Sequence, residues 1–311
     1  MALSILNYGA TRTGKTYQAK FIADYVWKKY RKKTRFITTD TGSLWEPIQS
    51  RVDAGIVKPL FVPTDPSYNS IAIFRKLRRG EWLKNYDPSG FCLKPNGKND
   101  WVPWDRQEEA KEIGAYVFES LSTIGTGTMR DLAEKNVTVG DKSVPGLRTE
   151  DGETFANNTE NHYGMILSEI PEFLNALTAM PVEVVYVTAL DEVIEPKDTE
   201  FVKVYKLGPQ LPGRKLINVV PSRVNMCLHS MVVPGAAGNE LRCYLKPHPW
   251  SVLNKYQWPA GLRMEGADAD KKWPDGFITL TREKGIGEIL EFRDKVREDA
   301  KQAALKEMAQ A

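Results

Sequence analysis

The sequence predicts an α/β fold in which a mostly parallel sheet is flanked by helices. Three observations predict it. Short apolar, β-branched runs alternate with amphipathic segments from Leu3 to Thr188, the order that parallel strands with crossover helices require. The glycine-bounded stretch Gly9-Ala10-Thr11-Arg12-Thr13-Gly14-Lys15-Thr16 stands between the first such run and the first such helix. After Glu195 the strands become short and closely spaced, as antiparallel pairing would have them.

Taken in order, Leu3 to Tyr8 reads as a buried strand. From Lys15 to Tyr30, Ala19, Ile22, Ala23, Val26 and Tyr30 recur at helical spacing. The cations of Lys28-Lys29-Tyr30-Arg31-Lys32-Lys33 suit the negative end of that helix's dipole. Arg35 to Thr39 is the second strand and runs into Asp40-Thr41-Gly42; Ser43-Leu44-Trp45-Glu46 then has the spacing of a capping box and starts a short helix. Leu60-Phe61-Val62 is a further strand, and Ser67 to Arg79 a helix with Ile71, Phe74 and Leu77 on one face. Gly80 to Asp105 is rich in Gly, Pro, Asn and Trp without periodicity and reads as an excursion from the core.

Ile113 to Glu119 restores a strand. Ser120 to Asn161 is long and irregular, with glycines at 125, 127, 140, 146 and 152, the length of a functional or mobile loop. Tyr163 to Ala179 is an amphipathic helix and Val182 to Thr188 a strongly β-branched strand. Phe201-Tyr205, Val224-Val233 and Leu241-Lys246 are the antiparallel strands. Glu288 to Ala309 is a charged, alanine-rich helix with few large apolar residues, expected to be exposed or to meet a partner. The predicted organisation is a core over 1–250, containing an excursion at 80–105 and a long mobile loop at 122–161, followed by a C-terminal extension over 251–311.

Composition narrows the class. With 41% hydrophobic and 27% charged residues over 311 positions, the chain can bury a sizeable core. A net charge of +3 permits nucleic-acid binding without arguing for it, because dedicated binders cluster more positive charge. Cys92, Cys227 and Cys243 are odd in number and far apart, so neither a disulfide framework nor a zinc site is expected. The chain opens directly on an apolar strand, which predicts no cleavable signal, and no apolar run reaches the roughly 18 residues of a membrane helix. The expectation is a soluble cytoplasmic protein with no membrane partner.

The chemistry lies in the glycine-bounded stretch. In Gly9-x-x-x-x-Gly14-Lys15-Thr16, successive backbone N–H groups are set to cradle phosphate oxygens, and glycine allows the close approach. The positive end of the following helix adds to this. The nucleotide-binding set is therefore Gly9, Ala10, Thr11, Arg12, Thr13, Gly14, Lys15, Thr16 and Tyr17. Lys15 is expected to reach the β- and γ-phosphates of ATP, and the Thr16 hydroxyl to hold Mg²⁺. A metal-bound triphosphate also needs a carboxylate at a neighbouring strand end. Glu119, closing an apolar strand, is the expected metal-side carboxylate, with Asp40 as the base orienting the attacking water. Thr188, ending Val184-Val185-Tyr186-Val187, is placed to sense the γ-phosphate.

Five blocks carry a resemblance: the phosphate loop, Phe118-Glu119-Ser120-Leu121, Asn161-His162-Tyr163-Gly164, Val184 to Leu190, and Gly208-Pro209-Gln210-Leu211-Pro212-Gly213. In that order, from about residue 3 to about residue 250, they resemble the phage-encoded AAA/RecA-like ATPases of the single-strand-annealing type. The resemblance implies a RecA-like (ASCE) core with the strand of Thr188 between the phosphate-loop strand and the Glu119 strand. It implies single-stranded DNA as partner and a homo-oligomer with nucleotide at the subunit interface. Glu119 departs from the family pattern, which has Asp there. DNA contacts are then expected beyond the Glu119 and Thr188 strands: Arg130, Lys135, Lys142, Arg148, Arg214 and Lys215 for phosphates, and Phe155, Tyr163 or Tyr205 for stacking. His162 reads as a helix-start residue, and Arg214 or Arg223 as an arginine finger. Two other functions share the loop: a nucleotide-switched assembly or packaging protein, and a small-molecule phosphotransferase. The second needs an arginine-rich lid, for which 122–161 offers only Arg130 and Arg148.

Overall fold

The computed structural model describes residues 2–38, 46–61, 81–83, 101–103, 111–133, 137–139, 142–144, 147–150, 153–156, 160–194, 206–235, 238–246, 255–256 and 271–310. Strands β1 (Leu3–Tyr8), β2 (Lys33–Thr38), β3 (Val57–Phe61), β4 (Ile113–Glu119), β5 (Val184–Ala189) and β6 (Met226–Gly235) pair in parallel. Strands β7 (Gly238–Tyr244), β8 (Lys255–Tyr256) and β9 (Phe277–Leu280) extend the sheet antiparallel beyond β6. The order across the sheet is β9-β7-β6-β1-β5-β4-β2-β3, with β8 also on β6. This is a RecA-like α/β sheet: β5 separates the phosphate-loop strand β1 from the Glu119 strand β4.

Each face of the sheet buries its own core. Alternate residues of one strand face opposite ways, so Leu6, Tyr8, Val185, Val187 and Phe118 meet helices α3 (Leu121–Ala133) and α4 (Glu160–Ala179) through Ile124, Ile166, Ile170 and Phe173. Ile5, Tyr186, Val117 and Phe36 face α1 (Lys15–Tyr30) through Ile22, Ala23 and Val26. Helices α2 (Gln49–Asp53) and α5 (Arg214–Val219) are short. The terminal helix α6 (Gly287–Gln310) lies against α1, with Ile289 and Leu290 buried in the second core.

Several elements differ from expectation. The irregular loop expected from Ser120 begins as α3, because Leu121, Ile124 and Met129 fall on one buried face despite Gly125 and Gly127. Gly125 has a packing reason: a Cβ there would stand 2.8 Å from Pro212. Beyond α3, Val137–Val139 pairs with Lys142–Val144, and Leu147–Glu150 with Glu153–Ala156. The excursion at 80–105 contains one described antiparallel pair, Glu81–Leu83 with Trp101–Pro103. The expected helix over 67–79 and the strand Phe201–Tyr205 lie outside the described residues; a described strand, Lys206–Pro209, pairs with Asp191–Ile194 instead. The terminal helix is expected to be exposed or to meet a partner; its last turns are exposed, and its first half packs on α1.

Candidate nucleotide site

The loop runs from the C-terminal end of β1 into α1. Its entry is fixed by Gly9 N–H donating to the Ala189 carbonyl at 3.2 Å. A Cβ on Gly9 would lie 2.1 Å from the Ser230 carbonyl oxygen of β6, so no larger residue fits there. Gly14, the N-cap of α1, has φ 75°, the left-handed region that glycine enters freely. Arg12 adopts φ 65° at the tip of the loop, with its side chain exposed. The Thr13 hydroxyl donates to the Ala10 carbonyl at 2.8 Å and closes the loop on itself.

Lys15 occupies the middle of this cradle. Its Nζ donates to the carbonyls of Gly9 at 2.6 Å and Ala10 at 2.7 Å. Burial pushes its ammonium down to about 8, against the pull of the Asp191 and Glu119 carboxylates. The backbone carbonyl of Lys15 is held from beneath by a buried chain of hydrogen bonds. Ser230 Oγ donates to Asn7 Oδ1 at 2.8 Å, Asn7 Nδ2 donates to the Tyr186 hydroxyl at 2.8 Å, and that hydroxyl donates to Lys15 O at 3.0 Å. Strands β6, β1 and β5 thereby fix the first turn of α1.

The Thr16 hydroxyl donates directly to Glu119 Oε1. The two residues come from different elements, α1 and the end of β4, and meet because β4 and β1 end on the same side of the sheet. A cavity of about 470 Å³ opens over this pair, lined by the loop from Thr11 to Tyr17 and by Pro47, Glu119, Ser120, Thr123, Thr188 and Leu190. That volume lies within the roughly 300–1,000 Å³ of small-molecule sites. Two hydroxyls on its wall, Ser120 Oγ and Thr188 Oγ1, are buried and make no hydrogen bond within the protein. A buried polar group without a partner is costly, so these oxygens, with the Thr16–Glu119 pair, fit a phosphate ligand carrying Mg²⁺. Among the described residues no group of three or more His, Cys, Asp or Glu side chains gathers to hold a metal alone.

The structure brings together Gly9 to Tyr17, Glu119 and Thr188, and adds residues the sequence did not single out. Asp191, two residues past β5, acts on Lys15 through its charge and lies 3.5 Å from the Nε2 of buried His229, which stacks on Tyr8 at 4.5 Å. Asn7, Tyr186 and Ser230 look in sequence like ordinary strand residues. Only their polarity within apolar strands marked them. Asp40, Lys135 and Tyr205 lie outside the described residues. Arg130, Lys142, Arg148, Phe155, His162 and Arg214 belong to described elements whose side chains are outside the description. Tyr163, Lys215 and Arg223 are exposed and line none of this cavity.

The sheet order and this cavity define the class by fold: a RecA-like α/β sheet with a glycine-bounded loop and a cavity at the C-terminal end of β1. No protein-family model matches the chain, and no curated protein sequence does. Among solved structures, it is similar to the flagellar accessory protein FlaH from Methanocaldococcus jannaschii, at 12% identity and TM-score 0.37 over 82% of this chain and 79% of that one. It is also similar to a KaiC-like protein from Pyrococcus horikoshii OT3, at 13% identity and TM-score 0.39 over 90% and 89%. Neither likeness carries functional weight; the site does. No described helix is long and apolar enough to cross a membrane.

Proposed function

We propose that the chain binds ATP with Mg²⁺ at this loop, hydrolyses it, and acts on single-stranded DNA in phage recombination or replication. The observation that carries the nucleotide part is the Thr16–Glu119 pair beside Lys15. Thr16 and Glu119 would hold a bound Mg²⁺, which would supply charge neutralisation at the phosphates. Lys15 would exchange its loop carbonyls for phosphate oxygens, Thr188 would meet the γ-phosphate, and Asp40 would orient the attacking water. The DNA part and the homo-oligomer with nucleotide at the subunit interface rest on the ordered sequence blocks.

The test is ATP binding and turnover, with and without single-stranded DNA. Lys15→Ala is expected to abolish both binding and turnover. Glu119→Gln is expected to keep binding while lowering turnover at least a hundredfold, in the range lost when a charge-stabilising group is removed. ATP is expected to strengthen DNA binding, and Lys15→Ala to remove that response. Equal DNA binding by the wild type with and without ATP would falsify the DNA part. Binding and assembly without DNA-stimulated turnover would point instead to a nucleotide-switched assembly or packaging protein, a reading that Glu119 in the aspartate position favours.

A further inference from the structure

We infer that Tyr17 is the platform on which the base of the nucleotide stacks, and that the turn between β9 and α6 holds it in place. The inference rests on the loop being a nucleotide site and specifies its base end. Tyr17 follows Thr16 directly and lines the cavity together with Pro47, on the α1 side of the loop. Its side chain is fixed at two points. The hydroxyl donates to the Arg282 carbonyl at 3.1 Å, and Phe21 meets the ring edge-on at 5.7 Å. Lys20 reinforces the first point, donating to the Tyr17 hydroxyl at 3.1 Å and to the Arg282 carbonyl at 3.2 Å.

The Arg282 turn is itself anchored. Ile286 N–H donates to the buried Gln18 Oε1 at 2.9 Å, and a Cβ on Gly285 would stand 2.4 Å from Gln18 and Phe21. With its hydroxyl bonded, Phe21 in a T-shaped contact and Lys20 Nζ over one face of the ring at 5.1 Å from its centroid, Tyr17 lines the cavity as an aromatic surface already immobilised. A planar group pays little ordering cost on meeting such a surface. The planar, π-faced part of a nucleoside triphosphate is its base, and stacking on an aromatic ring tolerates different bases because each has a π-face. The stacking contact therefore makes little distinction between adenine and guanine.

Calorimetric titration with ATP, GTP and inorganic tripolyphosphate tests this on the full chain. Tyr17→Ala is expected to weaken ATP and GTP alike by on the order of tenfold or more, and to leave tripolyphosphate binding unchanged. Tyr17→Phe, which keeps the ring, is expected to retain most of the affinity. In Tyr17→Trp, emission is expected to be quenched by ATP and not by tripolyphosphate, relative to the wild type. Unchanged ATP affinity in Tyr17→Ala overturns the proposal, as does an equal loss of tripolyphosphate, which would make Tyr17 a support of the loop. A wild type that binds tripolyphosphate but shows no gain from the base overturns the platform alone. A wild type that binds none of the three ligands overturns the nucleotide site itself.

Discussion

Lys15 donates two short hydrogen bonds to its own loop, and a phosphate has to compete with those carbonyls for its charge. Because burial brings the ammonium down to about 8, the charge is lost as pH rises through that value. ATP affinity is therefore expected to fall above pH 8, and binding near pH 8 to take up a proton, measured by calorimetry in buffers of different ionisation enthalpy. Lys15→Arg should flatten this dependence, since guanidinium stays charged. Fold stability runs the other way. Above pH 8 the unfolded chain holds this proton more tightly than the folded one, so the residue's contribution to stability rises towards its ordinary value of 10.5. At Arg31, which ends α1 with φ 56°, glycine should raise stability by about 1 kcal/mol, read as an increase in Tm. Gly9, Lys15, Thr16 and Glu119 stand out as candidates in the sequence because spacing along the chain or a strand's end marks them, and the structure gathers them at one place. Asn7, Tyr186 and Asp191 do not stand out, because their roles arise from neighbours about 180 to 220 residues away.

At the scale of elements, α3 and α6 show where pattern reading fell short. The glycines at 125 and 127 argue against a helix by propensity, and the buried face of Leu121, Ile124 and Met129 overrides them. Beyond it, the paired strands Val137–Val139 with Lys142–Val144 and Leu147–Glu150 with Glu153–Ala156 are too short to show as a periodic run. Helix α6 carries few large apolar residues, yet Ile289, Leu290 and Val296 suffice to seat its first half. Lys28–Glu291 and Lys29–Asp294 fasten its outer side to α1. Residues 301–309 are exposed throughout. Removing residues 301–311 is thus expected to leave Tm unchanged, whereas Leu290→Ala should cost about 2–5 kcal/mol in chemical denaturation.

For the whole molecule, strand order decides which side chains can meet. Placing β5 between β1 and β4 sets Thr188 beside both the loop and Glu119. The resemblance implied that order; periodicity could predict a parallel sheet but not its permutation, since every buried parallel strand reads alike. If nucleotide lies at a subunit interface, the oligomer should grow on adding ATP and Mg²⁺ and stay unchanged in Lys15→Ala, measured by light scattering. One further consequence follows from the turn at Arg282 resting on Tyr17, and Ile286 on Gln18. Residues 265 positions apart in sequence thus meet behind Tyr17. The turn lines none of the cavity itself, so any loosening of it is expected to reach a ligand only through Tyr17 and the first turn of α1.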